Sequence, residues 1–183
     1  LRDGMMIMLA YHAMLRTSEI ARIAYDDISF REEIIGNTKK KIMSVYVNPL
    51  AKNDKKRIGH TRLISEKDES VKWCTVRQMQ RYMQSLKEKE KGMKLFQKEE
   101  GGEMSTDTPR GRLKYWLKRI GIEDIEEYGF HSLRAGGATE AAKAGVDREH
   151  IKVHGDWKSD AVDRYIRMDT EERMRASTAI GRS

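Results

Sequence analysis

His131 and Arg134 stand three residues apart at the head of HSLRAGGATEAAKAG, residues 131–145, a run that reads as a tightly packed helix closed by Gly145. Three apart in a helix means one shared face. At the N-terminal end that face lies beside free backbone N–H groups, which favour an anion. The guanidinium adds a planar fork of donors that stays charged, and the imidazole adds a group whose charge changes near neutral pH. Together they could grip a phosphate oxygen and move a proton. Taken alone, the pair has a plainer reading: a histidine capping a helix beside an arginine held in an ion pair.

The elements that must position this pair can be read from apolar periodicity. DGMMIMLAYHAML is almost continuously apolar and long enough for a buried helix. In RTSEIARIAYDDISF, Thr17 or Ser18 caps a short helix carrying Ile20 and Ile23, after which the chain turns extended. Extended pieces at 28–30, 42–47 and 62–64, separated by GNTKKK and PLAKNDKKRIGH, predict a small antiparallel meander. Val71, Cys74, Met79, Met83 and Leu86 keep helical spacing among polar residues. KEEGGEMSTDTP is the most flexible-looking segment, and Thr108-Pro109 reads as a cap and first helical residue for RGRLKYWLKRI. Beyond His131 the pattern predicts a short helix from Asp147 to Gly155, a helix entered by Ser159, and a terminal helix in DTEERMRASTAI. No internal repeat or domain boundary interrupts it.

With 183 residues, 38% hydrophobic and 36% charged, the chain fits one domain with a core under a highly charged surface. Lys and Arg total 36 against 29 Asp and Glu, a net +7 that suits a polyanionic partner. The basic residues crowd positions 39–62, where only Asp54 opposes them in sequence, making nucleic acid the expected partner. The single cysteine, Cys74, sits among apolar neighbours and excludes an intramolecular disulfide framework. There is no Walker-type glycine loop, HExxH helix or paired-carboxylate metal site, so no metal or other cofactor is expected. No apolar run reaches membrane-spanning length and no secretory signal opens the chain, so the expected location is intracellular, bacterial cytoplasm or eukaryotic nucleus. A first residue Leu1 rather than Met reads as a start inside a longer polypeptide.

The stretch HSLRAGGATEAAKAGVDREHIKVHGDWKSDAVDRYIRMD resembles the signature of the tyrosine recombinases, the phage-integrase family. It has the H-x-x-R helix entry, a Gly- and Ala-rich helix, a short helix, then a Trp or His at a turn and a Tyr beyond. LAYHAMLRTSEIARIAYDDI is similar to the family's first box, an arginine between two helices followed by Ser-Glu, and VNPLAKNDKKRIGHTRLI to its lysine-bearing hairpin. The likeness covers nearly the whole chain in the right order. It implies an α+β fold, mostly α-helical with a small three-stranded antiparallel sheet. Residues 1–183 would be the catalytic domain, with 166–183 a tail able to dock on a neighbouring protomer, and the family's upstream DNA-binding module absent from this chain. The function implied is site-specific cleavage and rejoining of double-stranded DNA by a homo-tetramer assembled on it. Alternatives are a type IB topoisomerase or hairpin-forming resolvase, and a domesticated DNA-binding protein that no longer cleaves.

On that resemblance Arg16 and Arg134 clamp the phosphate, because a guanidinium neutralises a pentacoordinate phosphorane better than an ammonium does. Arg16 could instead be spent on a surface ion pair with Glu19, or Glu19 could support it. Tyr165 is the implied nucleophile; a phenol ordinarily ionises near pH ~10, so it needs neighbouring cations and a base. Trp157 takes the position where most members have histidine, as an indole N–H donor. It stands eight residues before Tyr165, one fewer than is usual, and His154 is the substitute. His131 is the proton acceptor or a phosphate ligand. Lys52 is the implied acid for the departing 5′ oxygen, with Lys55 and Lys56 as rivals. Lys39, Lys40, Lys41, Lys55, Lys56 and Arg57 are the expected backbone contacts to DNA. His12, His60 and His150 have no partner motif and read as structural or surface residues.

Overall fold

The computed structural model describes residues 1–48, 59–99, 101–168, 174, 177, 178 and 180. Along them run α1 (Arg2–His12), α2 (Thr17–Ile20), β1 (Ile28–Ile35), β2 (Thr38–Val47), β3 (His60–Ser65), α3 (Thr75–Ser85), α4 (Asp107–Arg119), α5 (Phe130–Lys143) and α6 (Arg148–Gly155). A 3-10 helix, Asp160–Arg164, follows α6. The architecture is the expected one: mostly helical, with an antiparallel sheet in the order β1-β2-β3. None of the described helices is long and apolar enough to cross a membrane.

The strands run longer than their apolar stretches. Ile35 pairs with Thr38 across a two-residue connection whose Gly36 takes φ +61, so β1 and β2 form a tight hairpin. Pairing continues into the polar part because Glu32 lies opposite Lys41 and Glu33 opposite Lys40, and opposite charges facing each other favour the ladder. Lys39, Lys40 and Lys41 therefore lie in a strand, not in the turn expected. The Lys39 ammonium sits 2.7 Å from the Glu32 carboxylate, so the basic run is opposed from β1 in a way its sequence neighbours do not reveal. β3 pairs with β2 from Val47 opposite His60 to Ile42 opposite Ser65. Alternation along β3 turns His60, Arg62 and Ile64 inward and leaves Thr61, Leu63 and Ser65 exposed.

The main core surrounds α1, whose Met5, Met6, Leu9 and Ala10 are buried against the sheet, α3 and residues such as Phe96 and Leu113. α5 crosses the end of α1 closely. A side chain at Gly137 would overlap the Tyr11 carbonyl, and one at Gly136 would press on the Tyr11 ring. The glycine pair is thus what lets two backbones meet. A second, smaller core of Met14, Ala138, Ile151, Trp157 and Val162 lies under the other end of α5.

Several boundaries differ from expectation for local reasons. α2 is capped by Arg16, not by Thr17 or Ser18, because the Glu19 carboxylate accepts the Arg16 backbone N–H at 2.6 Å. α3 starts only at Thr75: Arg77 reaches back to the carbonyls of Lys67, Asp68 and Val71 and fixes that stretch as an irregular turn. α4 starts at Asp107 with Pro109 third, still within the first turn where an N–H has no helical acceptor. The piece after Ser159 is a 3-10 helix and not an α-helix. The stretch 49–58 with Lys52, Lys55, Lys56 and Arg57, and most of the expected terminal helix, lie outside the described residues.

Candidate functional site

Arg134 occupies the first turns of α5, with His131 one turn before it on the same face. Its side chain, 1% exposed, spans the gap between the ends of two other helices. One terminal nitrogen donates to the Met14 carbonyl just past α1, and the other donates to the Gly155 carbonyl at 2.7 Å. The guanidinium lies over the Trp157 indole, 4.1 Å from the ring centre, and 5.6 Å from the centre of the Tyr165 ring. Arg62 of β3, 2% exposed, arrives from the opposite side and donates to the same Gly155 carbonyl at 3.0 Å.

The turn that receives both arginines is unusual in its backbone. Asp156 has φ +54, and Met14, whose carbonyl Arg134 also holds, has φ +49; they are the two non-glycine residues at positive φ among those described. Such conformations cost about 1–2 kcal/mol for an L-residue, and surrounding contacts must hold them. α6 was expected to close on a left-handed glycine. Instead Gly155 stays helical and lacks a side chain because the Trp157 indole fills the space a Cβ would need. His60, beside Arg62 on β3, sets Nδ1 3.4 Å from the Asp156 carboxylate.

Tyr165 ends the 3-10 helix. Its ring sits between His131 and Trp157, with centroid separations of 4.7 and 4.9 Å. Two devices hold its backbone. Thr139 Oγ1, on α5, donates to the Tyr165 carbonyl at 3.1 Å and accepts the Arg167 N–H at 3.0 Å. Arg148, at the start of α6, donates to Asp163 through Nε at 2.6 Å and to Asp160 at 2.7 Å, strapping the 3-10 helix to α6.

The electrostatics of the pocket are unbalanced towards positive charge. Burial pushes the Arg62 and Arg134 guanidinium groups down to about 10, with Arg16 lowering both further and Glu19 countering. At neutral pH both stay protonated. Neither has a carboxylate within ion-pair distance among the described residues; Glu19, 5% exposed, is engaged with Arg16 at 2.6 Å. Among the described residues, four buried side-chain nitrogens have no hydrogen-bond partner: Arg62 Nε, Arg134 Nε, Trp157 Nε1 and His60 Nε2. Leaving buried polar groups of this kind unmatched costs about 1–3 kcal/mol each.

The structure thus gathers His131, Arg134, Trp157 and Tyr165, and sets Arg16 at their edge, its side chain 43% exposed and tied to a buried Glu19. His154, the substitute for Trp157, is spent elsewhere, its Nε2 2.8 Å from the His12 carbonyl. His12 itself contacts Thr75, and His150 lies on the surface near Asp147. Sequence reading missed Arg62, His60 and Asp156. The signal for the first was alternation: Arg62 shares its strand face with Ile64, so a charged side chain had to be buried. Nothing in the sequence marks Asp156 as left-handed. Among the described residues no group of three or more His, Cys, Asp or Glu is placed to hold a metal.

Comparison with solved structures places this geometry. XerA recombinase superposes with a TM-score of 0.66 at 16% identity, over 96% of this chain and 56% of that one. XerH recombinase, bound to a palindromic difH substrate after cleavage, gives 0.66 at 14% identity, over 98% of this chain and 45% of that one. The Tn1549 transposon integrase in complex with circular intermediate DNA gives 0.62 at 18% identity, over 96% and 56%. The chain therefore spans about half the length of these structures. No curated protein sequence matches it. A model of the phage integrase family matches residues 1–172, and with the fold in agreement the chain belongs to that family.

Proposed function

We propose that the chain is the catalytic domain of a site-specific DNA recombinase that breaks and rejoins strands through a 3′-phosphotyrosyl intermediate. The observation that supports this reading is the buried Arg134 guanidinium, without a carboxylate at ion-pair distance among the described residues, and the unmatched Trp157 indole, both against the Tyr165 ring. In the reaction the Tyr165 oxygen forms a bond to the scissile phosphorus while the bond to the 5′ oxygen breaks. The phenolic proton passes to His131, and Lys52 supplies a proton to the departing 5′ oxygen, which leaves as a hydroxyl. Arg16, Arg134 and the Trp157 N–H hold the nonbridging oxygens, where charge grows in the transition state. Strand energy stays in the phosphotyrosyl ester, so attack by a 5′ hydroxyl of a second duplex rejoins without external fuel. Two cleaved sites must be held together, which calls for a homo-tetramer on double-stranded DNA, with the 166–183 tail as the contact between protomers.

A nicked duplex whose short 5′ fragment diffuses away after cleavage tests the chemistry. With magnesium chelated, the chain should give a covalent protein–DNA band on a denaturing gel. Tyr165→Phe should bind the duplex within about 3-fold of the unaltered chain and give no band, because the missing oxygen serves only the covalent step. Adduct formation by Tyr165→Phe, or none by the unaltered chain when bound, overturns the reading.

A further inference from the structure

We infer that Arg62, with His60 beside it on β3, is a positioning residue for the phosphate site, fixing Arg134 and Trp157 through the Gly155 carbonyl. The inference rests on the recombinase reading and extends its machinery to a strand no motif points to.

A carbonyl oxygen has two lone pairs. At Gly155 both are taken by guanidinium nitrogens, Arg134 at 2.7 Å and Arg62 at 3.0 Å. That oxygen belongs to the peptide leading into Asp156, which holds φ +54, and the residue after it is Trp157. From the same strand face His60 sets its Nδ1 3.4 Å from the Asp156 carboxylate. β3 therefore holds the turn by its backbone and sets an imidazole beside its side chain, and the turn in turn places the indole against Arg134 and Tyr165. Without Arg62 the Gly155 peptide can rotate, the left-handed turn loses a restraint, and Arg134 and Trp157 move together.

Packing alone does not account for an arginine here. A leucine or methionine fills a buried site of that size without desolvating a charge, and such replacements are often neutral or stabilising. Arg62 also repels Arg134 and leaves its own Nε unmatched, two costs that an anion in the pocket would offset. Glu19 and Asp156 lie close enough to moderate the repulsion but are not paired with it. The arrangement suits a site that waits for a phosphodiester.

The test compares Arg62→Met with the unaltered chain under single-turnover conditions on the nicked duplex. Arg62→Met should slow adduct formation about 100-fold, the scale of a misplacement of about 1 Å in the reacting groups, while duplex affinity changes by less than about 3-fold. A second substrate carries a methylphosphonate at the scissile position, which removes the charge of one nonbridging oxygen. Because the arginines act on that charge, the deficit of Arg62→Met should there shrink to about 10-fold or less. An equal deficit on both substrates means that Arg62 only supports the fold, and an unaltered rate means that it does nothing for the site; either overturns the inference. Should Arg62→Met lack a cooperative unfolding transition, Arg62→Lys carries the same comparison, with an intermediate deficit that again shrinks on the neutral substrate. No adduct from the unaltered chain sinks the recombinase reading itself; adduct from it with Arg62 variants indifferent sinks this inference alone.

Discussion

Two clusters in this molecule use the same side chains to opposite ends. At the start of α1, Asp3 is covered and accepts from Arg2 Nε at 3.0 Å, Arg112 Nε at 2.6 Å and Trp116 Nε1 at 2.9 Å. At the head of α5, Arg62, Arg134 and Trp157 form a cluster of the same composition, two arginines and a tryptophan, with no carboxylate among them. The first is closed: every donor named reaches the acid, and burial, which pushes the Asp3 carboxyl up, is outweighed by the hydrogen bonds from Trp116, Arg112 and Arg2 that hold it below its ordinary value. The second is open, with an indole N–H and two guanidinium Nε groups unmatched. The α1 cluster carries its own counter-charge; the α5 cluster carries none, which is what the proposed phosphate site requires.

The largest effect that would test the contrast is on chemistry. Arg134→Met should lower the rate of adduct formation by about 1000-fold or more, as loss of a preorganised transition-state donor does. Its unfolding free energy in urea should stay within about 1 kcal/mol of the unaltered chain, because removing an unpaired buried charge offsets the lost hydrogen bonds. A large loss of stability would show the cluster to be structural after all.

Asp3→Asn should do the reverse, costing about 2 kcal/mol of stability while leaving the cleavage rate of folded protein unchanged. Its pH dependence has a definite sign. The folded carboxyl titrates below the unfolded one, so the stabilisation is fully present above the ordinary carboxylate range, about pH 4, and is lost as pH falls through the lower folded value. Urea midpoints of the two chains should therefore converge in acid. Divergence there would mean that the Asp3 cluster is not the closed system described.

The smallest effect belongs to charges that are not buried. Replacing Lys39, Lys40 and Lys41 by glutamine should weaken binding to any duplex and reduce the salt slope by about 2, less than the full complement, because Glu32 already pairs Lys39. Cleavage per bound complex should hold. If cleavage collapses while binding does not, the division between a solvated basic face and the α5 site fails.

The sequence carried the order of elements well where burial repeats with a clear period. α1 was legible because it is apolar nearly all round, and the fit of Gly136 and Gly137 against Tyr11 matches the close packing expected of a small-residue helix. Strand lengths were not legible: β1 and β2 continue past their apolar residues on cross-strand charge pairs, which no single strand displays. The grouping of His131, Arg134, Trp157 and Tyr165 followed the motif order, whereas alternation with Ile64 could mark Arg62 as buried but could not say that it meets Gly155, a residue from a distant segment.

What the sequence by itself determined is chemistry and local periodicity: which side chains can hold a phosphate or attack it, which helix faces are apolar, where Asp147 and Ser159 open their turns. These depend on residues a few positions apart. Only the tertiary structure decided which charges are left without a partner. Whether Arg134 meets a carboxylate or a bare carbonyl depends on Met14, Arg62 and Gly155, brought from three distant segments, and on a left-handed Asp156 that holds one of those carbonyls in place.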